Sequence, residues 1–257
     1  MGDRRWRLAC AAILLACSFA SGCHSPHRTT LTVSVAASLT DAIAEIEQTY
    51  KREHTDVELR NNSGSSGVLA QEIEQGAPVD IFLSAAAKPL DEVQAKGLIV
   101  AGTRRNLLSN TLVLIAPRES PLRDFQGLAD PSMRLMALGD PATVPAGQYG
   151  KQTLIALRLY EQVQPRLVLA KDVRQVLAYV EMGNVDAGIV YWTDAQRSGK
   201  VRVVATAPES SHDPIVYPVA VIRSGRNEGA AREFVEYLNS PRAKAIFAAH
   251  GFTMAAQ

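Results

Sequence analysis

Along this chain, β-branched and apolar runs short enough for strands alternate with segments whose apolar residues recur at helical spacing. Leu31 to Val35 is a β-branched run and predicts a strand. Ile43, Ile46 and Tyr50 follow at the spacing of one helix face. Val57-Glu-Leu-Arg60 predicts a short strand, the polar stretch Asn61 to Gly67 a loop, and Leu69 with Ile73 a helix ending near Gly76. Val79 to Leu83 reads as the next strand, with a helix through Leu90 and Val93 to Gly97. A longer apolar run, Thr111 to Ala116, is closed by Pro117. After a polar loop the alternation resumes, with a strand at Arg134 to Leu138, a helix from about Pro145 to Val163 and a strand at Arg166 to Leu169. Val173, Val176, Leu177 and Val180 sit at i, i+3, i+4 and i+7 of another helix. Gly188 to Tyr191, Val201 to Ala205 and Ile215 to Ile222 read as strands. Ala231, Phe234, Val235 and Leu238 mark a late helix, and Ile246 with Phe247 a short last one.

Such alternation predicts an α/β fold of two units, each a mostly parallel sheet flanked by helices, near residues 31–109 and 110–216. The remainder, 217–257, is too small for a core of its own and is expected to return to the first unit. The first lobe is then 31–109 with 217–257, and the second is 110–216. Ligands of such sheets bind outside the carboxyl ends of the strands, which places the expected site in the cleft between the lobes.

Residues 1–23 break the pattern. Arg4, Arg5 and Arg7 precede an apolar run from Leu8 to Phe19 that ends in Ala20-Ser21-Gly22-Cys23. A basic head, an apolar core too short to span as a mature helix and small residues before a break read as a secretory signal. The ending resembles a bacterial lipobox with Cys23 as the lipid-modified residue. Ala20 stands where Leu is more usual, so ordinary cleavage nearby and a retained N-terminal anchor are the alternatives. Residues 24–30 read as a tether, with His24 and His27 as linker residues. Cys10, Cys17 and Cys23 are the 3 cysteines, so the chain after the signal offers no disulfide, thiolate site or cysteine nucleophile. A net charge of +1 gives no footprint for nucleic acid.

Chemistry gathers at four strand-to-helix junctions. Ser38, with Asp41 three residues on, has the form of a capping box. Ser63-Gly-Ser-Ser66-Gly67 can form a backbone nest and lacks the Gly-Lys-Ser/Thr ending of a P-loop. In Gly139 to Gly147, Pro145 suits a first helical turn and leaves the Ala146 N–H free. In Lys171-Asp172-Val173-Arg174, Asp172 can cap a helix whose first turn carries the Val173 N–H, with Lys171 and Arg174 expected to pair with Asp172 or face solvent. Singly, each is an ordinary helix start. Together, two per unit and all at strand ends, they describe helix N-termini aimed at an anion. Tyr191, ending a strand, can add a hydroxyl or serve only as a core aromatic. His54, His212 and His250 fall at ends and loops, and no triad, close carboxylate pair or metal spacing joins these junctions. The expected site is neutral, built of donors and suited to binding a multiply charged oxyanion, with no catalytic residues, no cofactor and no direct metal ligand.

Ala36 to Asp41, Gly64 to Phe82, Gly139-Asp-Pro with Val144-Pro-Ala-Gly147, Asp172-Val-Arg174, Gly188 to Tyr191 and Tyr217-Pro-Val-Ala220 together resemble the molybdate-binding proteins of bacterial ABC transporters, the ModA type, over roughly residues 31–254. The resemblance implies a type II periplasmic-binding-protein fold closing over one tetrahedral dianion. It implies oxyanion contacts from the Ser38 and Ser66 hydroxyls and backbones, the Ala146 and Val173 N–H groups and the Tyr191 hydroxyl, with molybdate held through its oxygens. It further implies capture of molybdate, and of tungstate, for an ABC permease and its ATPase, by a monomer on the periplasmic side of the cell envelope. That monomer is anchored by lipid at Cys23 or, alternatively, is soluble in the periplasm. Another tetrahedral oxyanion such as sulfate is the alternative ligand. Trp192 departs from the family, where a small residue is frequent.

Overall fold

The computed structural model describes residues 28–255. The expected signal segment 1–23, Cys23, His24 and His27 lie outside them. In chain order the elements are β1 (Thr29–Ala36), α1 (Thr40–Glu53), β2 (Val57–Gly64), α2 (Ser66–Glu74), β3 (Ile81–Leu83), α3 (Ala87–Ala95), β4 (Arg105–Ser109) and β5 (Leu112–Pro117). Then come β6 (Met136–Gly139), α4 (Pro145–Ala156), α5 (Tyr160–Val163), β7 (Leu167–Ala170), α6 (Val173–Glu181), β8 (Ala187–Tyr191) and α7 (Trp192–Ala195). The chain closes with β9 (Val201–Thr206), β10 (Val216–Val221), α8 (Glu228–Tyr237), α9 (Pro241–Ala249) and β11 (Thr253–Met254).

The strands form two sheets, one of six strands in the order β11-β4-β10-β3-β1-β2 and one of five in the order β7-β6-β8-β5-β9. Both are mixed, which corrects the expectation of mostly parallel sheets. Only β1 with β2 and β3, and β6 with β7 and β8, pair in parallel. The chain leaves the first sheet along β4 into β5 and returns along β9 into β10. In each sheet the outgoing and returning strands are neighbours, so they must run in opposite directions.

Several boundaries also differ from the sequence reading. β1 begins at Thr29, within the stretch expected as tether, because Thr29 and Thr30 already pair with Val57 and Glu58. β2 runs on to Gly64 through residues read as loop, held by the same ladder. β4 was not anticipated: Leu107 and Leu108 are both buried, so it shows no alternation. The expected helix over 145–163 is broken after Ala156, where Arg158 takes a φ of 60°.

Apolar faces explain the layers. Ile43, Ile46 and Tyr50 of α1 are fully buried, and Tyr50 meets Phe234 of α8 edge-on with ring centroids 5.0 Å apart. Each such side chain contributes about 1.5–3 kcal/mol when removed from water. That contact docks the chain's last helices on the first sheet. Among the described residues no helix is long and apolar enough to cross a membrane.

Candidate functional site

Ser38, Ser66, Ala146, Val173 and Tyr191, the five residues singled out from the sequence, line one cavity between the two sheets. The cavity is far smaller than the roughly 300–1,000 Å³ usual for a drug-sized ligand, which restricts it to a small guest. Each residue arrives there through a strand end. β1 gives way to a single 3-10 turn, Ala37–Leu39, that carries Ser38. Ser66 is the first residue of α2, Ala146 the second of α4 and Val173 the first of α6. First-turn N–H groups have no acceptor inside their own helix, so four helix starts direct unpaired donors and positive dipole ends at one point.

The capping box expected at Ser38 does not form. Ser38 lies inside the turn, the capping position is Ala36, and Asp41 turns away to Arg174 and Arg197. Ala36, Ser65 and Val144 precede their helices without a side-chain cap, although the Gly67 N–H of α2 is taken by the Thr143 carbonyl at 2.9 Å. Asp172 does cap: its Oδ1 accepts from Gln175 N at 2.8 Å. Asp172 also lines the cavity, and this bond occupies one of its oxygens.

Hydrogen-bond direction decides what the hydroxyls can offer. Ser66 Oγ accepts from Ala85 N at 2.9 Å, so its own proton is free to point into the cavity. Asn110 Nδ2 donates to Tyr217 Oη at 3.1 Å and to Thr193 Oγ1 at 2.9 Å, while Asn110 Oδ1 accepts from Thr111 N. Tyr217 Oη and Ser38 Oγ lie 3.1 Å apart, and either oxygen can donate. With Asn110 already donating to Tyr217 Oη, the Tyr217 proton finds an acceptor when it turns to Ser38, which leaves the Ser38 proton for the cavity. Tyr191 differs, because its hydroxyl donates to the Ala85 carbonyl across the cleft at 3.3 Å. Burial pushes Tyr191 and Tyr217 well above the usual tyrosine range, so both stay protonated donors.

Sequence reasoning missed four contributors. Ser65 lines the cavity with a buried hydroxyl that has no partner, and its place between Gly64 and Ser66 was the available signal. Ala85 lies after β3, where small residues gave no sign. Tyr217 stood in a motif without a role, and Asn110 had no local pattern at all. Lys171 and Arg174 were expected to pair with Asp172 or face solvent. Instead Arg174 reaches Asp194 of α7 at 2.8 Å and Asp41 of α1 at 2.8 Å, because the second sheet brings α7 beside α6 and the cleft brings α1 opposite. Asp194 is fully buried and imperfectly aligned with that guanidinium. Burial pushes its carboxyl up to about 7, with Arg174 pulling the other way. Trp192, the departure noted above, is 43% exposed and stays out of the cavity lining. No cluster of three or more His, Cys, Asp or Glu placed for a metal ion occurs among the described residues.

The family described as bacterial extracellular solute-binding protein matches residues 31–253. The molybdate-binding protein ModA of Escherichia coli is 42% identical over 87% of this chain and 89% of its own. A Bacillus subtilis protein whose name describes an ABC transporter substrate-binding lipoprotein is 43% identical over 91% of this chain and 90% of its own. Among solved structures, the periplasmic molybdate-binding protein of Azotobacter vinelandii superposes with a TM-score of 0.78 at 26% identity, covering 88% of this chain and all of that one.

Proposed function

The chain belongs to the bacterial extracellular solute-binding proteins, and from that premise we propose that it captures molybdate, and tungstate equally, for an ABC importer. The observation that carries this reading is the convergence of four strand-to-helix junctions and two serine hydroxyls on one small cavity. Ser38, Ser66, Ala146 and Val173 bind the oxyanion oxygens directly. Tyr191 joins them when its proton turns from the Ala85 carbonyl to the ligand. The protein acts as a monomer, held to the envelope membrane by lipid on Cys23, and passes its ligand to a permease driven by an ATPase.

Charge and protonation supply the selectivity. Molybdate and tungstate are unprotonated dianions near neutral pH and present only acceptors, so every donor can be matched. Phosphate keeps a proton there, and its O–H would face an N–H. An unpaired buried donor costs about 1–3 kcal/mol. Sulfate offers the right acceptors but is smaller, which leaves contacts long in a cleft set for a larger ion.

Titration calorimetry at pH 7 to 8 in fixed salt, on protein beginning after Cys23, tests the reading. Molybdate and tungstate should bind alike, sulfate well behind and phosphate last. At a hundredfold excess over its dissociation constant, molybdate should stabilise the fold by about 2.7 kcal/mol. Phosphate binding as tight as tungstate would mean that an acceptor, such as the second Asp172 oxygen, reaches the anion.

A further inference from the structure

We propose that Arg174 is a positioning residue for anion capture, and that its pairing with Asp41 across the cleft sets how fast the closed protein releases its ligand. This rests on the oxyanion-binding reading above. Arg174 follows Val173 directly, and its guanidinium contacts two segments that carry site residues, the Ser38 turn running into α1 and the stretch that follows Tyr191. Nη2 lies 2.8 Å from Asp41 Oδ2 and 3.3 Å from the Ser38 carbonyl oxygen, while Nε lies 2.8 Å from Asp194 Oδ1. Asp194 is on the short helix that directly follows Tyr191. One planar cation therefore ties the Ser38 turn and α1, on the first sheet's side, to α6 and α7 on the second. Arg197, just past α7, adds a second guanidinium to Asp41.

The two carboxylates are unequally placed. Asp194 is completely buried and belongs to Arg174's own half of the molecule, whereas the Asp41 side chain is 37% exposed and belongs to the other half. Separation of the halves would leave Arg174 with Asp194 and send Asp41 into water. Breaking that half-exposed contact carries little desolvation cost, so it suits a bond that must form and open repeatedly. Asp41 also lies two residues after the turn that bears Ser38, where an unpaired negative charge would oppose a dianion. Arg174 and Arg197 offset that charge only when the halves meet.

The experiment is a chase of labelled molybdate from loaded protein by unlabelled molybdate, at low and high salt. Association is followed by fluorescence of Trp192, the sole tryptophan outside the 1–23 segment, whose other member of the pair is Trp6. Release is read per bound ligand, so it does not depend on how much of a variant folds. Asp41→Asn should speed release by about five- to tenfold, the scale of one partly buried charged hydrogen bond, and flatten its salt dependence. Association should change less than about twofold, because the separated halves keep their own donors. Asp41→Glu should restore slow, salt-sensitive release. Arg174→Lys should resemble Asp41→Asn, since an ammonium cannot span both carboxylates and a carbonyl as a guanidinium does. Release from Asp41→Asn at the wild-type rate with the wild-type salt dependence would overturn the inference, as would Asp41→Glu releasing as fast as Asp41→Asn. A wild-type chain that binds none of the oxyanions would overturn the binding reading and this inference together, whereas normal binding with unchanged release removes this inference alone.

Discussion

The two walls of the cleft solve one problem with different materials. The first sheet's wall offers hydroxyls, Ser38, Ser65 and Ser66, with Tyr217 and Ala85 fixing which way two of the protons point. The second sheet's wall offers backbone N–H groups at Ala146 and Val173, with Tyr191 as its lone side-chain donor among the lining residues. A side-chain donor can be removed by one atom's substitution. A backbone donor can be lost only by moving the chain that carries it, so the first wall should respond to mutation in affinity and the second in fold.

The largest effect is therefore expected on the second wall. A Cβ on Gly147 would lie 1.9 Å from the Gly139 carbonyl oxygen, so α4 can start only because two glycine backbones touch there. Gly147→Ala should cost at least about 4 kcal/mol in urea unfolding and abolish molybdate binding, because the Ala146 N–H moves with the helix start. Near-native stability with normal binding would show that this wall can give way after all.

Buried carboxylates continue the contrast. In the first half, Asp80 accepts from the N–H groups of Thr32 at 2.7 Å and Arg226 at 3.1 Å. In the second, Asp194 has one imperfectly aligned arginine and a carboxyl pushed up to about 7 by burial. The folded protein therefore holds that proton more tightly than the unfolded chain, whose carboxyl titrates near 3.9. The Asp194 contribution is fully present below about pH 4, declines as pH rises toward 7 and is level above it, a span of roughly 4 kcal/mol at most. Unfolding free energies measured from pH 4 to 8 should converge on this pattern: wild type loses stability relative to Asp194→Asn across that window. Parallel curves for the two proteins would show that Asp194 does not titrate there.

The same contrast explains what could be read from the sequence. Ser38 and Ser66 announced themselves as polar residues at strand ends, and Pro145 and Asp172 marked helix starts whose N–H groups had to be free. Those four signals are local, and so are the strand and helix periods that gave the two α/β units. Asn110 and Tyr217 act on Ser38 from 107 residues apart in one step and 179 in the next, so no window of sequence contains their relation. Strand direction failed for a related reason, since it depends on where the chain crosses between sheets. Asp41 was misread because a cap and an ion pair ask for the same residue type, and only the packing of α6 opposite α1 decides between them.

On the first wall, Ser38→Ala and Ser66→Ala should each weaken molybdate binding by about 1.5–3 kcal/mol, the scale for a hydrogen bond to a charged group. They should differ in the unliganded protein. Ser66→Ala strands the buried Ala85 N–H, which now donates to Ser66 Oγ, and should lower the melting temperature. Ser38→Ala leaves only the Tyr217 proton without its acceptor and should melt closer to wild type. Calorimetric titration and thermal melts together read both quantities, and wild-type binding by both variants would place the ligand elsewhere.

The smallest effect concerns direction alone. Tyr217→Phe keeps the ring that packs beside Tyr191 at 5.7 Å and Phe252 at 5.5 Å between centroids, and removes the hydroxyl that gives its proton to Ser38 and accepts one from Asn110. Ser38 then still has its own proton for the anion, but nothing polarises its oxygen or holds its rotamer. Hydrogen bonds in such a chain strengthen one another only modestly, so the expected loss is about 1 kcal/mol, roughly fivefold in affinity. The origin of that loss is what a double-mutant cycle resolves. If Tyr217 works through Ser38, the substitution should cost almost nothing further in a Ser38→Ala background, while with Ser66→Ala, whose hydroxyl bonds Ala85 and not Tyr217, the two losses should add. Additivity with Ser38→Ala instead would mean that the Tyr217 hydroxyl supports the site by a route other than Ser38, and that the proton order along Asn110, Tyr217 and Ser38 has no part in binding.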